Sequence, residues 1–167
     1  MTGKSPAIRL ATPADAEALA RLRYEFRVAL GEPNETEDAF VARCASWMRV
    51  RLAARPAAWR AWVACLDGVS VGCIWVQVIE KVPNPVPEPE AHAYLTNLYV
   101  RPECRGGGTG ARLFETALAW CREQRVHVAV LWPTARSRSL YARHGFGDPD
   151  DMMVLRLARG FLGPQPR

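Results

Sequence analysis

Residues 98–111 read LYVRPECRGGGTGA, an apolar strand pattern followed by a proline-containing turn and a glycine-rich run that leads into a helical pattern. A glycine-rich turn between a strand and a helix places backbone N–H groups at the positive end of the helix dipole. Glycine tolerates left-handed backbone angles and lets a phosphate approach without a Cβ in the way. We therefore predict that residues 105–111 bind an anion, with the guanidinium of Arg105 adding a positive charge.

The alternative for this segment is an ordinary glycine-rich turn that binds nothing. Four of the five residues from Gly106 to Gly110 are glycine, and each loses more conformational entropy on folding than any other residue would. An ordinary turn does not need that cost, so the anion site is the favoured interpretation.

Two nucleotide motifs were compared with the glycine run. The pattern Gly106-x-Gly108-x-x-Ala111 matches the dinucleotide fingerprint, but that fingerprint follows the first strand and precedes an acidic ribose ligand. Few residues follow the run here, and the strand pattern Val126–Trp132 ends without an acid. A phosphate loop of the ATPase type requires Gly-Lys before Ser or Thr, and no lysine follows Lys81. Both nucleotide interpretations are therefore disfavoured.

Hydrophobic periodicity predicts the remaining elements. The tight-turn dipeptide Asp67-Gly68 predicts an antiparallel hairpin, whereas four prolines at alternating positions between Val82 and Glu90 predict a loop. A helix between two later strands requires a crossover, so we expect a mixed sheet. The predicted strands are Ile8–Leu10, Trp59–Leu66, Val69–Val82, His92–Val100, Val126–Leu131 (buried) and Met152–Leu157. The first predicted helix begins at Pro13, and three further helices are predicted over Phe40–Leu52, Gly108–Arg125 and Ala135–Arg143.

Composition sets the broad class. With 167 residues, of which 49% are hydrophobic, we predict one domain over residues 1–167, with frayed tails at 1–6 and 159–167. The net charge of +5 suits a phosphorylated small molecule, while the absence of a basic, aromatic-interleaved run argues against nucleic acid. No apolar run long enough for a membrane helix or signal peptide is found, which predicts a cytoplasmic protein without a membrane partner. The five scattered cysteines predict free thiols and no metal site.

Residues 98–110 resemble the acetyl-CoA motif of the GNAT N-acetyltransferases, a strand followed by Arg-x-x-Gly-x-Gly and a helix. The resemblance extends from Ile8 to Leu157 through the opening Arg-x-Ala-Thr-Pro-Ala-Asp, the two early helices, the hairpin and the late Leu140-Tyr141 and Gly145-Phe146. It implies an α/β, GNAT-like mixed, mostly antiparallel central sheet of about six to seven strands flanked by about four helices. It also implies acetyl-CoA as the acyl donor and a primary amine of a small molecule or peptide as the acceptor, with direct transfer in a ternary complex.

The resemblance implies a set of site residues. Tyr141 would protonate the departing CoA thiolate, because a phenol is protonated at neutral pH. Thr134 stands where many members have Asn, and Ser137 where Ala is common, so these two residues would lie at the pantetheine. The implied cofactor-binding residues are Leu98, Tyr99 and Val100 on the strand, then Arg105, Gly106, Gly107, Gly108, Thr109, Gly110 and Ala111, then Thr134 and Ser137, with the Thr109 hydroxyl as an additional donor.

The acceptor side is less defined by the sequence. The acceptor amine must lose a proton, and the candidate bases are Glu25, Glu80, His92 or water. Tyr24 and Trp47 are candidate aromatic walls of the acceptor pocket, with the Pro83–Pro89 loop as its rim. A non-catalytic CoA-binding or protein-interaction module with the same fold is the alternative function, and the family resemblance admits a homodimer.

Overall fold

The computed structural model describes residues 4–31, 33–148 and 152–155. Its elements, in chain order, are β1 (Ala7–Leu10), α1 (Ala16–Val28), α2 (Glu37–Ala53), β2 (Trp59–Leu66), β3 (Val69–Glu80), β4 (Ala91–Val100), α3 (Thr109–Glu123), β5 (Val128–Val130) and α4 (Arg138–Arg143). Short 3-10 turns at Pro13–Asp15, Pro102–Cys104 and Ala135–Ser137 precede α1, the glycine run and α4. The helix predicted to begin at Pro13 thus starts with a 3-10 turn.

One five-stranded sheet carries the fold, with the strands in the order β1-β2-β3-β4-β5. The first three pairings are antiparallel and β4 pairs with β5 in parallel, because α3 forms the crossover between them. The mixed, mostly antiparallel sheet is therefore confirmed.

The β2–β3 hairpin forms as the sequence predicted. Asp67 and Gly68 have φ angles of 49° and 82°, the pair of left-handed residues that a tight hairpin turn requires. The proline-rich segment between β3 and β4 contains no strand, and the ammonium group of Lys81 binds the Glu88 carboxylate across it at 2.7 Å.

The hydrophobic core lies between the sheet and the helices. α1 and α2 cover one face with fully or nearly fully buried side chains such as Leu19, Leu22 and Met48, which share a core cluster with Val63 and Trp75 of the sheet. α3 contacts β2, β3 and β4, and its Leu113, Phe114 and Ala117 are completely buried. This burial follows the helical spacing of the apolar residues.

The number of strands differs from the expectation. The part of the chain with described coordinates has five strands rather than six to seven. Residues 152–155 of the predicted Met152–Leu157 strand form no strand, and their apolar side chains are exposed; residues 156 and 157 lie outside the described residues. Alternating apolar residues predict a strand only where a sheet edge accepts their hydrogen bonds.

The segment Val126–Leu131 was predicted to be a buried strand, and this prediction is wrong on two counts. The strand covers Val128–Val130 and is partly exposed, with 38% of the Val128 surface accessible. It pairs with β4 on one side only within the described sheet, and an edge strand keeps part of its surface in water.

By internal contacts the chain groups into two compact units, residues 1–131 and residues 132–167. The first contains the whole sheet with α1, α2 and α3, and the second contains the Ala135–Ser137 turn and α4. The single domain over residues 1–167 stays a prediction, and the predicted frayed tails lie largely outside the described residues. No described helix has the length and apolar character needed to cross a bilayer.

Candidate cofactor and active site

A β-bulge interrupts β4 three residues before its end. Tyr99 pairs with Cys73 on β3, whereas the next pair towards the start of β4 joins Thr96 to Trp75, so β4 has an extra residue in this interval. Asn97 takes up the irregularity with a left-handed φ of 55°, an angle that Asn adopts more readily than most residues. The bulge therefore turns the backbone away from the regular ladder at residues 97 and 98.

The Asn97 side chain and backbone are held from β3. The Cys73 thiol donates to the Asn97 carbonyl, and the Asn97 amide nitrogen Nδ2 donates to Cys73 Sγ, each at 3.6 Å. Both residues are buried, so these weak sulfur hydrogen bonds fix the bulge in a water-poor setting.

Beyond the bulge, β4 has an open edge. β5 pairs only with His92, Ala93 and Tyr94, so residues 95–100 have no strand beside them on that side within the described chain. Leu98, Tyr99 and Val100 lie on this stretch, where unpaired peptide groups are available to a ligand. The Val100 carbonyl is already occupied, because Arg105 Nε donates to it at 2.7 Å.

The glycine run follows directly and forms an open cradle. Gly106 and Gly108 have left-handed φ angles of 87° and 75°, and a Cβ placed on Gly106, Gly107 or Gly108 would meet no atom within 4 Å. Gly108 is the residue before the first turn of α3 and provides no side-chain cap. The cradle is thus open to a bulky group.

The backbone donors of the cradle are unused. None of the N–H groups of residues 106–111 donates to an acceptor among the described residues, whereas the Arg112 amide already donates to the Gly108 carbonyl at 3.0 Å. Consecutive amides without acceptors at a helix start form an anion-binding site with the helix dipole behind it. The donor set therefore fits the pyrophosphate of a CoA thioester.

Arg105 and Thr109 flank these amides in different ways. The Arg105 guanidinium lies 5.6 Å from the centre of the Tyr99 ring and is fixed by its bond to Val100, so it supplies positive charge beside the cradle. Thr109 is 2% exposed, and its hydroxyl is buried without a hydrogen-bond partner. The hydroxyl consequently faces the interior, and Thr109 presents only its backbone amide to the cradle.

Glu25, a candidate base, is engaged in an ion pair. Arg101 Nε and Nη2 reach Glu25 Oε1 at 3.2 and 2.7 Å, and Nε also reaches Oε2 at 3.1 Å. Tyr99 lies beside the pair, and burial together with the Glu25 charge raises the pKa of its phenol. Both carboxylate oxygens of Glu25 accept hydrogen bonds from Arg101, so Glu25 ties α1 to the residue that follows β4.

The other candidate bases lie at the opposite end of the sheet from the glycine run. Glu80 is exposed at the last position of β3 and pairs with Ala91. His92, the second residue of β4, stacks edge-on against His127 with ring centres 5.9 Å apart. A strand rises about 3.3 Å per residue, so both lie far along the sheet from Val100. The structure does not bring them to the cradle.

The proposed aromatic walls pack with neighbouring aromatic residues. Tyr24 contacts Phe40 with ring centres 5.7 Å apart. Trp47 packs edge-on against Trp59 at 5.2 Å and tilted against Trp75 at 6.1 Å. Trp47 is 37% exposed, so the tryptophan cluster that it forms with Trp59 and Trp75 is accessible to solvent.

The second compact unit contains Thr134, Ser137 and Tyr141. The Thr134 amide donates to Ser137 Oγ at 3.0 Å, and the two hydroxyl oxygens are also 3.0 Å apart, which caps the turn before α4. Tyr141 is 9% exposed and lies 6.1 Å from the Phe146 ring. Burial raises the pKa of the Tyr141 phenol, and the Ser137 hydroxyl partly offsets this rise. The phenol is therefore protonated at neutral pH.

Two residues at the bulge were not identified from the sequence, Asn97 and Arg23. Arg23 Nη1 on α1 donates to Asn97 Oδ1 at 3.2 Å. The sequence signal for Asn97 is that it is a polar residue in an apolar strand pattern. This signal marks an irregularity in the strand, but it does not identify Arg23 as the helix residue that contacts it. Among the described residues, no cluster of His, Cys, Asp and Glu has the arrangement of a metal site.

Comparison with known proteins places this site in a family context. The acetyltransferase (GNAT) family model matches residues 19–146. Over 160 residues the chain is 31% identical to an aminoglycoside N(6')-acetyltransferase type 1 of Stenotrophomonas maltophilia, covering 94% of this chain and 96% of that protein. It is 28% identical to a solved GCN5-related N-acetyltransferase of Ralstonia eutropha JMP134, with a TM-score of 0.74 and coverage of 92% and 99%. A predicted acetyltransferase of Clostridium acetobutylicum, solved with acetyl-CoA, has the same fold at 22% identity, with a TM-score of 0.76 and coverage of 91% and 96%.

Proposed function

Since the chain belongs to the acetyltransferase (GNAT) family, whose members use acetyl-CoA, we propose that it transfers an acetyl group from acetyl-CoA to a primary amine of a small molecule or peptide. The observation that carries the proposal is the row of unused amides at residues 106–111 beside the open edge of β4. An anion at a helix start and an extended chain along a strand edge are the two groups that this surface can hold together.

Each part of the surface would hold a different part of the donor. The amides of residues 106–111, with the Arg105 charge beside them, would bind the pyrophosphate. The peptide groups of Leu98, Tyr99 and Val100 that remain unpaired would bind the pantetheine arm, and Thr134 and Ser137 are proposed to lie at the same arm. When bound, acetyl-CoA supplies an activated thioester.

Direct transfer to the amine is favoured over an acetyl-cysteine intermediate. Burial raises the pKa of the Cys73 thiol, which contacts the bulge, to about 12, and a nucleophilic cysteine needs a lowered pKa. The amine nitrogen would therefore attack the thioester carbonyl itself. Tyr141 is proposed to donate its phenolic proton to the departing sulfur, a role that suits a buried, protonated phenol.

We propose that water, or a backbone carbonyl with water, removes the proton from the acceptor amine. Glu25 is occupied by Arg101, and Glu80 and His92 lie at the other end of the sheet. The rate should then follow the fraction of acceptor that is already neutral, rising with pH up to the pKa of the amine. The related enzyme named for aminoglycosides supports a small-molecule acceptor.

Titration calorimetry with acetyl-CoA tests the proposal, with ATP and CoA lacking its 3′-phosphate as controls. We expect saturable binding of acetyl-CoA and none of ATP, followed by transfer to at least one amine in a panel. Binding without transfer to any amine would favour the non-catalytic CoA-binding module. Absence of any binding would favour a protein-interaction module and overturn the proposal.

A further inference from the structure

Arg23 is a half-buried guanidinium, and none of the described carboxylates pairs with it. Its Nη1 donates to Asn97 Oδ1, and the carbon Cζ lies 5.7 Å from the centre of the Phe26 ring. Its other N–H groups have no acceptor in the described part of the chain, and no described ion pair includes it. Withdrawing a charge from water without a counter-charge is costly, so this arrangement needs an explanation.

Burial is the main influence on the Arg23 charge. Burial and the nearby positive charge of Arg27 lower the Arg23 pKa, whereas Cys44, Tyr94 and Cys73 have smaller effects in the opposite direction. The acid nearest in sequence, Glu25, has both carboxylate oxygens bound by Arg101. The Glu25 carboxylate therefore pairs with Arg101 and not with Arg23.

The position of Arg23 is informative. Its partner Asn97 is the bulge residue directly before Leu98 and lies within the open β4 stretch, residues 95–100. With the pyrophosphate at residues 106–111, the pantetheine arm would run back along β4 towards this bulge, which places the reacting end near Arg23. This step rests on the proposed function.

Further polar groups lie on the same face of the sheet. Tyr94 and Thr96 pair with Gln77 and Trp75 on β3, and Trp75 belongs to the core cluster under α1 and α2. The Tyr94 hydroxyl donates to Thr96 Oγ1 at 3.0 Å. Hydroxyl groups beside a guanidinium form a neutral-to-positive lining that accommodates an anionic group.

We propose that Arg23 binds a carboxylate of the acceptor, so that the substrate is an amine that also carries a negative charge, such as an amino acid or a peptide with a free C-terminus. A guanidinium binds a carboxylate through paired N–H donors. An aminoglycoside is polycationic and would be repelled by the Arg23 charge. The acceptor would therefore differ from that named for the Stenotrophomonas relative.

The test uses acceptors in matched pairs, each offered as the free carboxylate and as the carboxamide: dipeptides with a free or amidated C-terminus, and ω-amino acids with their amides. Tobramycin serves as the cationic comparator. We expect the carboxylate members to have a kcat/KM about 10- to 100-fold higher, the range for a hydrogen-bonded charge pair, with tobramycin the poorest acceptor.

The variants Arg23→Ala and Arg23→Lys identify the residue responsible. Arg23→Ala should remove the preference by raising KM for the carboxylates, with little change for the amides, and Arg23→Lys should restore part of it. Arg21→Ala is the matched control, because Arg21 lies on the same helix but pairs with Glu17 and Glu37 in solvent. Its carboxylate preference should equal that of the unmodified protein. Thermal unfolding of each variant establishes that it is folded.

The outcomes separate this inference from the proposed function. Failure of calorimetric acetyl-CoA binding overturns the proposed function. Three results overturn the role of Arg23 alone: equal use of both members of each pair, a preference for tobramycin, or a carboxylate preference that survives in Arg23→Ala. Acetyl-CoA binding with transfer to no acceptor overturns both the role of Arg23 and the transferase function.

Discussion

The start of α1 and the start of α3 face the same problem, backbone N–H groups without helical partners, and solve it with different groups. Before α1, the Asp15 carboxylate accepts from the Thr12 amide at 2.8 Å and from both Nη atoms of Arg9 at 2.8 and 2.6 Å. Before α3, Gly108 supplies no cap and the amides of residues 106–111 remain unused. One start is completed by the protein's own acid, and the other presents unused amides, which we propose bind an anion.

The difference shows how a local stability cost indicates a binding site. A capping side chain contributes about 0.5–2 kcal/mol to stability, and α2 also uses one, since Thr36 Oγ1 accepts from the Ala39 amide. α3 forgoes this contribution. Where a helix start lacks a capping side chain and is built from glycine, a ligand is the physical alternative for its amides.

The largest effect is expected from placing an acidic side chain at the uncapped start of α3. Gly108→Glu would put a carboxylate beside the free amides and a side chain on a residue with φ of 75°, and we expect the Kd for acetyl-CoA to rise by about 100-fold or more, that is about 2.7 kcal/mol. Calorimetry measures it. Gly68→Glu is the control, because Gly68 has a similar φ of 82° with equally open space but lies in the β2–β3 turn. Equal loss of binding in both variants would contradict an anion site at α3.

The next prediction separates holding the donor from the chemical step. Tyr141→Phe should leave the Kd for acetyl-CoA within about twofold and lower kcat by about 10- to 100-fold, at the lower end of the range for general acid catalysis. Because burial raises the Tyr141 pKa, the protein should stay active to alkaline pH, with activity falling only above the ordinary tyrosine value of about 10. A pH–rate profile of both proteins measures this, and an unchanged kcat in the variant would remove Tyr141 from the mechanism.

A smaller effect, on stability, is expected at the start of α1, where Asp15 is the capping acid. The Arg9 guanidinium and the Thr12 donors lower the pKa of Asp15 to about 2, below its unfolded value of about 3.9. Its contribution is therefore fully present above pH 4 and is lost as the pH falls towards 2. Asp15→Asn should reduce the free energy of unfolding at pH 7 by about 1–2 kcal/mol, with the deficit shrinking below pH 4, in urea titrations.

The control for Asp15→Asn is Asp67→Asn. Asp67 pairs with Lys4, and both side chains are mostly exposed, so this substitution should leave the free energy of unfolding nearly unchanged. A deficit in Asp15→Asn that persists unchanged at pH 2, or one no larger than in Asp67→Asn, would contradict the role of Asp15 as the internal acid of α1.

The smallest effect is expected at Thr109. Its hydroxyl is buried without a partner, so Thr109→Val should raise the free energy of unfolding by about 0.5–1 kcal/mol, because an unpaired buried hydroxyl is costly. The Kd for acetyl-CoA should not change, since only the backbone amide faces the cradle. A tenfold weaker Kd would show instead that the hydroxyl binds the donor.

Much of the fold was predictable from local signals. The hairpin at Asp67-Gly68, the mixed sheet and the helix after the glycine run follow from turn chemistry and periodicity, and all are confirmed. The error at residues 126–131 has a physical origin, because an apolar run has the same pattern whether its strand lies at the centre or at the edge of a sheet.

The sequence by itself determined the open backbone of the glycine run, because glycines at a strand–helix junction specify the backbone geometry locally; anion binding there stays a prediction. Only the tertiary structure decided which groups surround that segment: the bulge at Asn97, the pairing of Glu25 with Arg101, and the lack of a carboxylate partner for Arg23 among the described residues. The contacts of Arg23 and Glu25 join α1 to residues 97 and 101, more than 70 positions further along the chain. Local propensity carries no information about which side chains such distant segments bring together.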